Sequence, residues 1–141
     1  MPDLPTPGPD DVWGAALNAV IEEALGAVAW TALPLESGYV SNADSFGHPP
    51  QYRKVGDRVE LRGVLRKASG SFTSNSQVTV ATLPVGFRPS VIVLGSAAHT
   101  GSTSGNVGRL DANPDGTVRF LPAPSGVTWV ALDGLSFSMT A

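Results

Sequence analysis

The chain of 141 residues contains no cysteine. A disulfide framework, a thiolate zinc site and a cysteine nucleophile are therefore excluded. Histidine is almost as scarce. His48 and His99 are the only two, and neither has a second histidine or a carboxylate at metal-ligand spacing. Charge is thin: 15% of residues are Asp, Glu, Lys or Arg, against about a quarter in an average domain. The net charge of −3 argues against a nucleic-acid partner, because such domains carry a basic footprint. No apolar run reaches membrane-spanning length. The opening MPDLPTPGPDD has neither the basic nor the apolar stretch of a secretory signal. The expectation is a protein made in a cytoplasm, with no membrane partner, no nucleic-acid partner and no cofactor.

Punctuation, by contrast, is abundant. Gly 16 and Pro 12 cut the chain into short segments, the texture of an all-β domain. From Ala29 on, short runs fall at 29–33, 38–43, 51–55, 58–67, 77–83, 90–99, 106–112, 117–121, 128–132 and 135–140. Their turn signals recur every ~8–12 residues, which predicts a β-sandwich or jelly-roll-like knob over 29–141. Two small-polar stretches, 69–76 and 100–105, read as exposed loops.

The first 28 residues differ in character. Residues 1–9 form a Pro-rich anchoring arm in which Pro5, Pro7 and Pro9 forbid helix, and Leu4 adds an apolar contact. Residues 10–28 read as a short helix, capped by Asp10. Trp13, Leu17, Val20 and Ala24 step by 4, 3 and 4, with Ile21 and Val28 widening the stripe. So apolar a helix is buried on more than one side. It can pack on its own β domain, or three copies can pack about an axis. The second account is preferred, with the β domains sharing the assembly because two heptads are too short to hold alone. The predicted state is a homotrimer, and these helix residues serve oligomerisation or docking.

Residues 51–68, QYRKVGDRVELRGVLRKA, hold six of the nine Lys and Arg. Gly56-Asp57 between two alternating runs reads as a two-residue hairpin turn. Pairing about it sets Arg53 against Glu60 and Tyr52 against Leu61. Arg58, Arg62 and Arg66 then share one outer face with period two, and Leu61 and Leu65 face inward. No aromatic is expected among the basic residues on that outer face, so a stacking platform for single strands is missing. The face is solvated, or it is the rim of a neighbouring subunit.

Other candidate chemistry thins out on inspection. DANPDG at 111–116 opens like a calcium loop, but its twelfth position is Pro122, where a bidentate Glu belongs. Asn113-Pro114-Asp115-Gly116 reads better as a hairpin turn. His48 and His99 read as loop or rim residues. No nucleophile context appears, so no catalytic residue is assigned and the protein is not expected to be an enzyme. Among the aromatics, Tyr52 and Trp129 read as core. Phe46 and Phe72 sit in loops, where they suit either the core or a sugar-binding surface. Phe46, Phe72, Arg58, Arg62 and Arg66 are the candidate surface-binding residues.

Four stretches carry a resemblance: WTALPLESGY (30–39), QYRKVGDRVELRG (51–63), LPVGFRP (83–89) and LDGLSF (132–137). In this order they resemble small trimeric fibre modules of tailed phages of actinobacteria. The resemblance implies a non-enzymatic β-sandwich knob on a virion surface, and it transfers no receptor-binding residue. A helix of about sixteen residues gives only ~24 Å, too short for a fibre shaft. The plan therefore suits a capsid-decoration or head-fibre protein that docks on a major capsid protein. The alternative is a tail-fibre or minor tail tip that docks on a tail or baseplate protein and binds the host receptor. A carbohydrate-binding module for host cell-surface glycan is third.

Overall fold

The computed structural model describes residues 28–102 and 105–140. The proposed arm and helix lie outside the described residues, apart from Val28. The described chain is all β. Its strands are β1 (Thr31–Ala32), β2 (Tyr39–Ser41), β3 (Gln51–Val55), β4 (Arg58–Arg62), β5 (Val64–Lys67), β6 (Val78–Thr82), β7 (Val93–Ser102), β8 (Gly105–Ala112), β9 (Thr117–Leu121), β10 (Trp129–Ala131) and β11 (Ser136–Ser138). They form two sheets, one of four strands in the order β1-β3-β4-β11 and one of seven in the order β2-β5-β10-β7-β8-β9-β6. The expected two-sheet β architecture is present.

The β3–β4 hairpin forms in the register that the alternation implies, with Arg53 opposite Glu60 and Tyr52 opposite Leu61. Gly56 takes φ +62 at the first central position of the turn, as a type II′ hairpin requires. The β8–β9 turn also follows its sequence: the Gly116 amide donates to Asn113 O at 2.8 Å. The Asp115 carboxylate is engaged there by the Thr117 amide and hydroxyl, at 3.0 and 2.7 Å.

The run 58–67 departs from expectation. It is not one strand but two, broken at Gly63, with β4 in the four-stranded sheet and β5 in the seven-stranded sheet. Gly63 has φ +107, and a Cβ there would stand 2.3 Å from Pro49 O. The backbone of the 49–50 segment occupies the space a side chain would need. The break ends the period-two alternation, so Val64 and Leu65 are both buried. Arg66 therefore leaves the face that holds Arg58 and Arg62. The stretch 100–105 is likewise no loop for most of its length, since β7 runs to Ser102 and β8 starts at Gly105.

The core lies between the sheets. Tyr52, Val59, Leu61 and Phe137 face inward from the smaller sheet. Leu65, Val80, Leu110, Val118, Phe120 and Val130 fill it from the larger one. Truncating a residue such as Phe120, wholly buried, costs about 3–5 kcal/mol. Two assignments change here. Phe72 is 3% exposed and packs edge-on against Phe120 with centroids 5.0 Å apart, so it is core and not a surface-binding residue. His99, 2% exposed, is core and not rim. Its ring packs against Phe120, and its Nδ1 lies 2.8 Å from Thr100 O.

Gly63→Ala is expected to lower the melting temperature sharply, because neither the φ nor the space admits a Cβ. Gly56→Ala, also at positive φ but with nothing within 4 Å of the added carbon, is expected to cost only the backbone strain, about 1–3 kcal/mol. Equal losses in thermal melts of the two variants would refute the account of Gly63.

Candidate functional site

The outer face of the seven-stranded sheet brings together residues that are far apart in sequence. Val40 and Trp129 flank Arg66 in one row, since each is its register partner. The loop after β2 folds back over this row. Its turn is closed by the Ser45 and Phe46 amides, which both donate to Asn42 O. Gly47 lies against Val64, where an added Cβ would be 2.7 Å from Cγ2. Phe46 is thereby set edge-on to Trp129, with centroids 4.9 Å apart and planes at 82°, yet it stays 46% exposed. Arg66 Nη2 lies 3.4 Å from Asp44 Oδ2 at the border.

Trp129 is held from beneath. Thr100 Oγ1 accepts from the Thr128 and Trp129 amides, each at 3.0 Å. β10 and β7 are paired at Val130–His99, and this hydroxyl ties the two strands beside that pair. The result is an aromatic platform beside an exposed ion pair. Such a surface suits a ligand with apolar C–H faces and hydroxyl rims, as a sugar ring has. Phe46 and Arg66 were legible as candidates. Trp129, expected in the core, is instead half-buried on this outer face.

The outer face of the four-stranded sheet has different chemistry. The guanidinium carbons of Arg53 and Arg62 each lie 4.2 Å from the centre of the Trp30 ring. Arg53 also binds Glu60 Oε1 through Nε at 3.0 Å and Val28 O through Nη1 at 3.3 Å. Arg62 Nε binds Gln51 Oε1 at 2.8 Å. The expectation of no aromatic among these arginines fails, because Trp30 arrives from the segment before β1. Arg58 lies further along the face, with Nη2 2.9 Å from Ser136 Oγ. Of the docking residues, Val28 is placed by its contact with Arg53, and the others lie outside the described residues.

A third surface is apolar. Val91, Ile92 and Leu94 near the start of β7, and Val107 on β8, are all exposed. Beside them Asp111 is buried, held by Arg109 at 3.0 Å and Gln77 at 2.8 Å.

Solved structures that resemble this chain include two from phages. The receptor-binding protein gp15 of Listeria phage PSA matches with a TM-score of 0.63 and 21% identity, over 96% of this chain and 82% of that one. The head domain of lactococcal phage bIL170, described among receptor-binding domains, matches with a TM-score of 0.57 and 20% identity, over 79% of this chain and 97% of that one. No protein-family model and no curated protein matches the sequence. The chain therefore shares the fold of phage receptor-binding modules.

At the edge of the four-stranded sheet, the Asp57 carboxylate accepts from Ser138 Oγ at 2.9 Å and Thr140 Oγ1 at 3.1 Å. These hydroxyls, Ser138 foremost, hold its carboxyl below the ordinary value. A depressed carboxylate stabilises the fold above its unfolded pKa and loses that contribution as pH falls through the folded value. The end of β11 is therefore expected to loosen in acid. Asp57→Asn should bring the same loosening to neutral pH, read as faster amide exchange at Ser138 to Thr140. Unchanged exchange in the variant would refute this role.

Proposed function

We propose that this chain is a non-enzymatic structural module of a phage virion surface that acts at a tail tip and binds a host cell-surface glycan. The observation that carries this reading is the fold likeness to a phage receptor-binding protein over 96% of the chain. Both of the structures named above come from work on phage receptor-binding proteins or domains. That favours the tail alternative over capsid decoration, and a tail or baseplate protein over a major capsid protein as the docking partner. The Phe46–Trp129 platform with Arg66 and Asp44 supplies the recognising surface in this reading. Binding without catalysis is the whole mechanism. The rings cover the apolar face of a sugar, and the ion pair exchanges hydrogen bonds with its hydroxyls.

A homotrimer is part of the proposal. The exposed Val91, Ile92, Leu94 and Val107 support self-association, because large exposed apolar side chains gathered on one face are what an interface covers. Light scattering after size exclusion is expected to give three copies. A clean monomer at micromolar concentration would overturn the trimer.

The receptor reading predicts that the full chain is retained by cell-wall glycan purified from actinobacterial hosts. Phe46→Ala and Trp129→Ala should each weaken retention about tenfold, equivalent to ~1.4 kcal/mol, with the melting temperature little changed for the exposed Phe46. Failure of every glycan to retain the wild-type chain, or full retention by both variants, would overturn it.

A further inference from the structure

The loop over the aromatic platform covers a polar group that the platform does not use. Both ends of this loop are tied to one residue. The Asn42 amide donates to Val64 O at 2.8 Å, and the Val64 amide donates to His48 O at 3.0 Å. Every residue from Ala43 to His48 is exposed. The Ser45 and Phe46 amides close onto Asn42 O, so the segment is a turn of its own rather than part of the sheet. Between the two ties it rests on the sheet lightly. Asp44 lies 3.4 Å from Arg66, Phe46 meets Trp129 edge-on, and Gly47 lies against Val64. Asn42 sits beneath this turn. Its amide extends the β2–β5 pairing by one residue, which puts its side chain in the outer row beside Val64, whose own register partner is Ala131. Asn42 is 4% exposed, and its Nδ2 is buried with no hydrogen-bond partner among the described residues. A donor so placed has lost water and gained nothing in return.

We propose that the turn from Ala43 to Gly47 is a flap, and that the glycan lifts it and takes a hydrogen bond from Asn42 Nδ2. That step rests on the glycan reading and narrows its ligand. Lifting the flap carries Asp44 away from Arg66, since the ion pair is the contact that joins them. Two groups then remain on the sheet beside Trp129: Asn42 Nδ2 and the Arg66 guanidinium. Both are donors, so the ligand has to bring acceptors. An exocyclic carbonyl or carboxylate oxygen does so without bringing a proton that needs a partner in turn. An N-acetylated sugar carries the first and a uronate the second. Phe46 travels with the flap and covers the sugar on the side away from Trp129, so the two rings hold it between them. Asn42 is thus a specificity-determining residue that the closed platform keeps out of sight.

The full chain, which has no cysteine, serves for the test. Val64→Cys puts a thiol beneath the flap, where the side chain is 3% exposed, and Leu65→Cys puts one in the core, at 0%. Maleimide is expected to label the first about tenfold faster, because it waits only for local opening. Equal rates would overturn the flap. Retention is then measured on immobilised trisaccharides of N-acetylglucosamine, of galacturonate and of glucose. The wild-type chain is expected to prefer one of the first two over the glucose trimer by about tenfold, and which one it prefers separates an acyl from a carboxylate acceptor. Asn42→Leu, close to Asn in shape, should erase the preference while the melting temperature holds or rises, since an unpaired donor is removed. Arg66→Met keeps the stem at a half-buried site and should erase it as well, a second reading that does not depend on the folding of the Asn42 variant. No preference among the trimers, a preference that survives both variants, or a melting temperature that falls in Asn42→Leu would overturn the inference. With cell-wall glycan still retained by the wild-type chain, any of these outcomes leaves the receptor reading standing. Loss of that retention overturns both.

Discussion

The close approach of Gly63 to the Pro49–Pro50 backbone organises the molecule. A strand that continued through position 63 would remain in one sheet. Here the chain turns at a positive φ that a side chain would resist, and the next residues enter the other sheet. One crossing ties the two sheets together through the β4–β5 junction. The Leu132 amide donates to Gly63 O at 2.7 Å, and the Asp133 carboxylate accepts from the Gly63 amide at 2.8 Å. The turn after β10 is therefore pinned at the same point, and β11 is fed to the edge of β4. With Cβ absent, the 42–50 loop can lie close enough to cover Val64 and deliver Phe46 to Trp129.

The crossing also divides the basic stretch. In sequence, Arg58, Arg62 and Arg66 look like one face, because each is separated by an even number of residues. In the structure, Arg62 stands beside Trp30 while Arg66 stands beside Trp129 and Val40. Six bases in eighteen residues do not build one patch. They supply two surfaces, one fastening the incoming chain and one bordering an aromatic platform.

Local order was largely legible. The β3–β4 register follows from alternation about Gly56-Asp57, and the 113–116 turn follows from its own residues, since hairpins are set by short-range geometry. What escaped depends on contacts between distant segments. A glycine inside an alternating run signals a bulge, a bend or nothing, and only the presence of Pro49 overhead decides it at Gly63. Trp30 lies more than twenty residues from Arg53 and Arg62, so no window could pair them. His99 and Phe72 are buried by packing on Phe120, which comes from β9. In the candidate site, Phe46 and Arg66 could be named singly. Their meeting through Trp129 required the sheet order.

The proposed binding and attachment can coexist in so small a domain because its two sheets differ. A two-sheet sandwich has two outer faces, and each must be solvated, covered or used. Here the outer face of the seven-stranded sheet carries the aromatic platform and the exposed apolar residues of β7 and β8. The other is committed at its Trp30 end to holding the incoming chain, through one backbone contact and two cation–π contacts, with Arg53 set in place by its salt bridge to Glu60. Arg53 is only 17% exposed in that arrangement, and a guanidinium so enclosed has little freedom to serve a ligand as well. The division places the fastened chain and the aromatic platform on opposite sides of one core. A load on the N-terminal side would then reach the platform only through the packed sheets, whose close packing resists deformation.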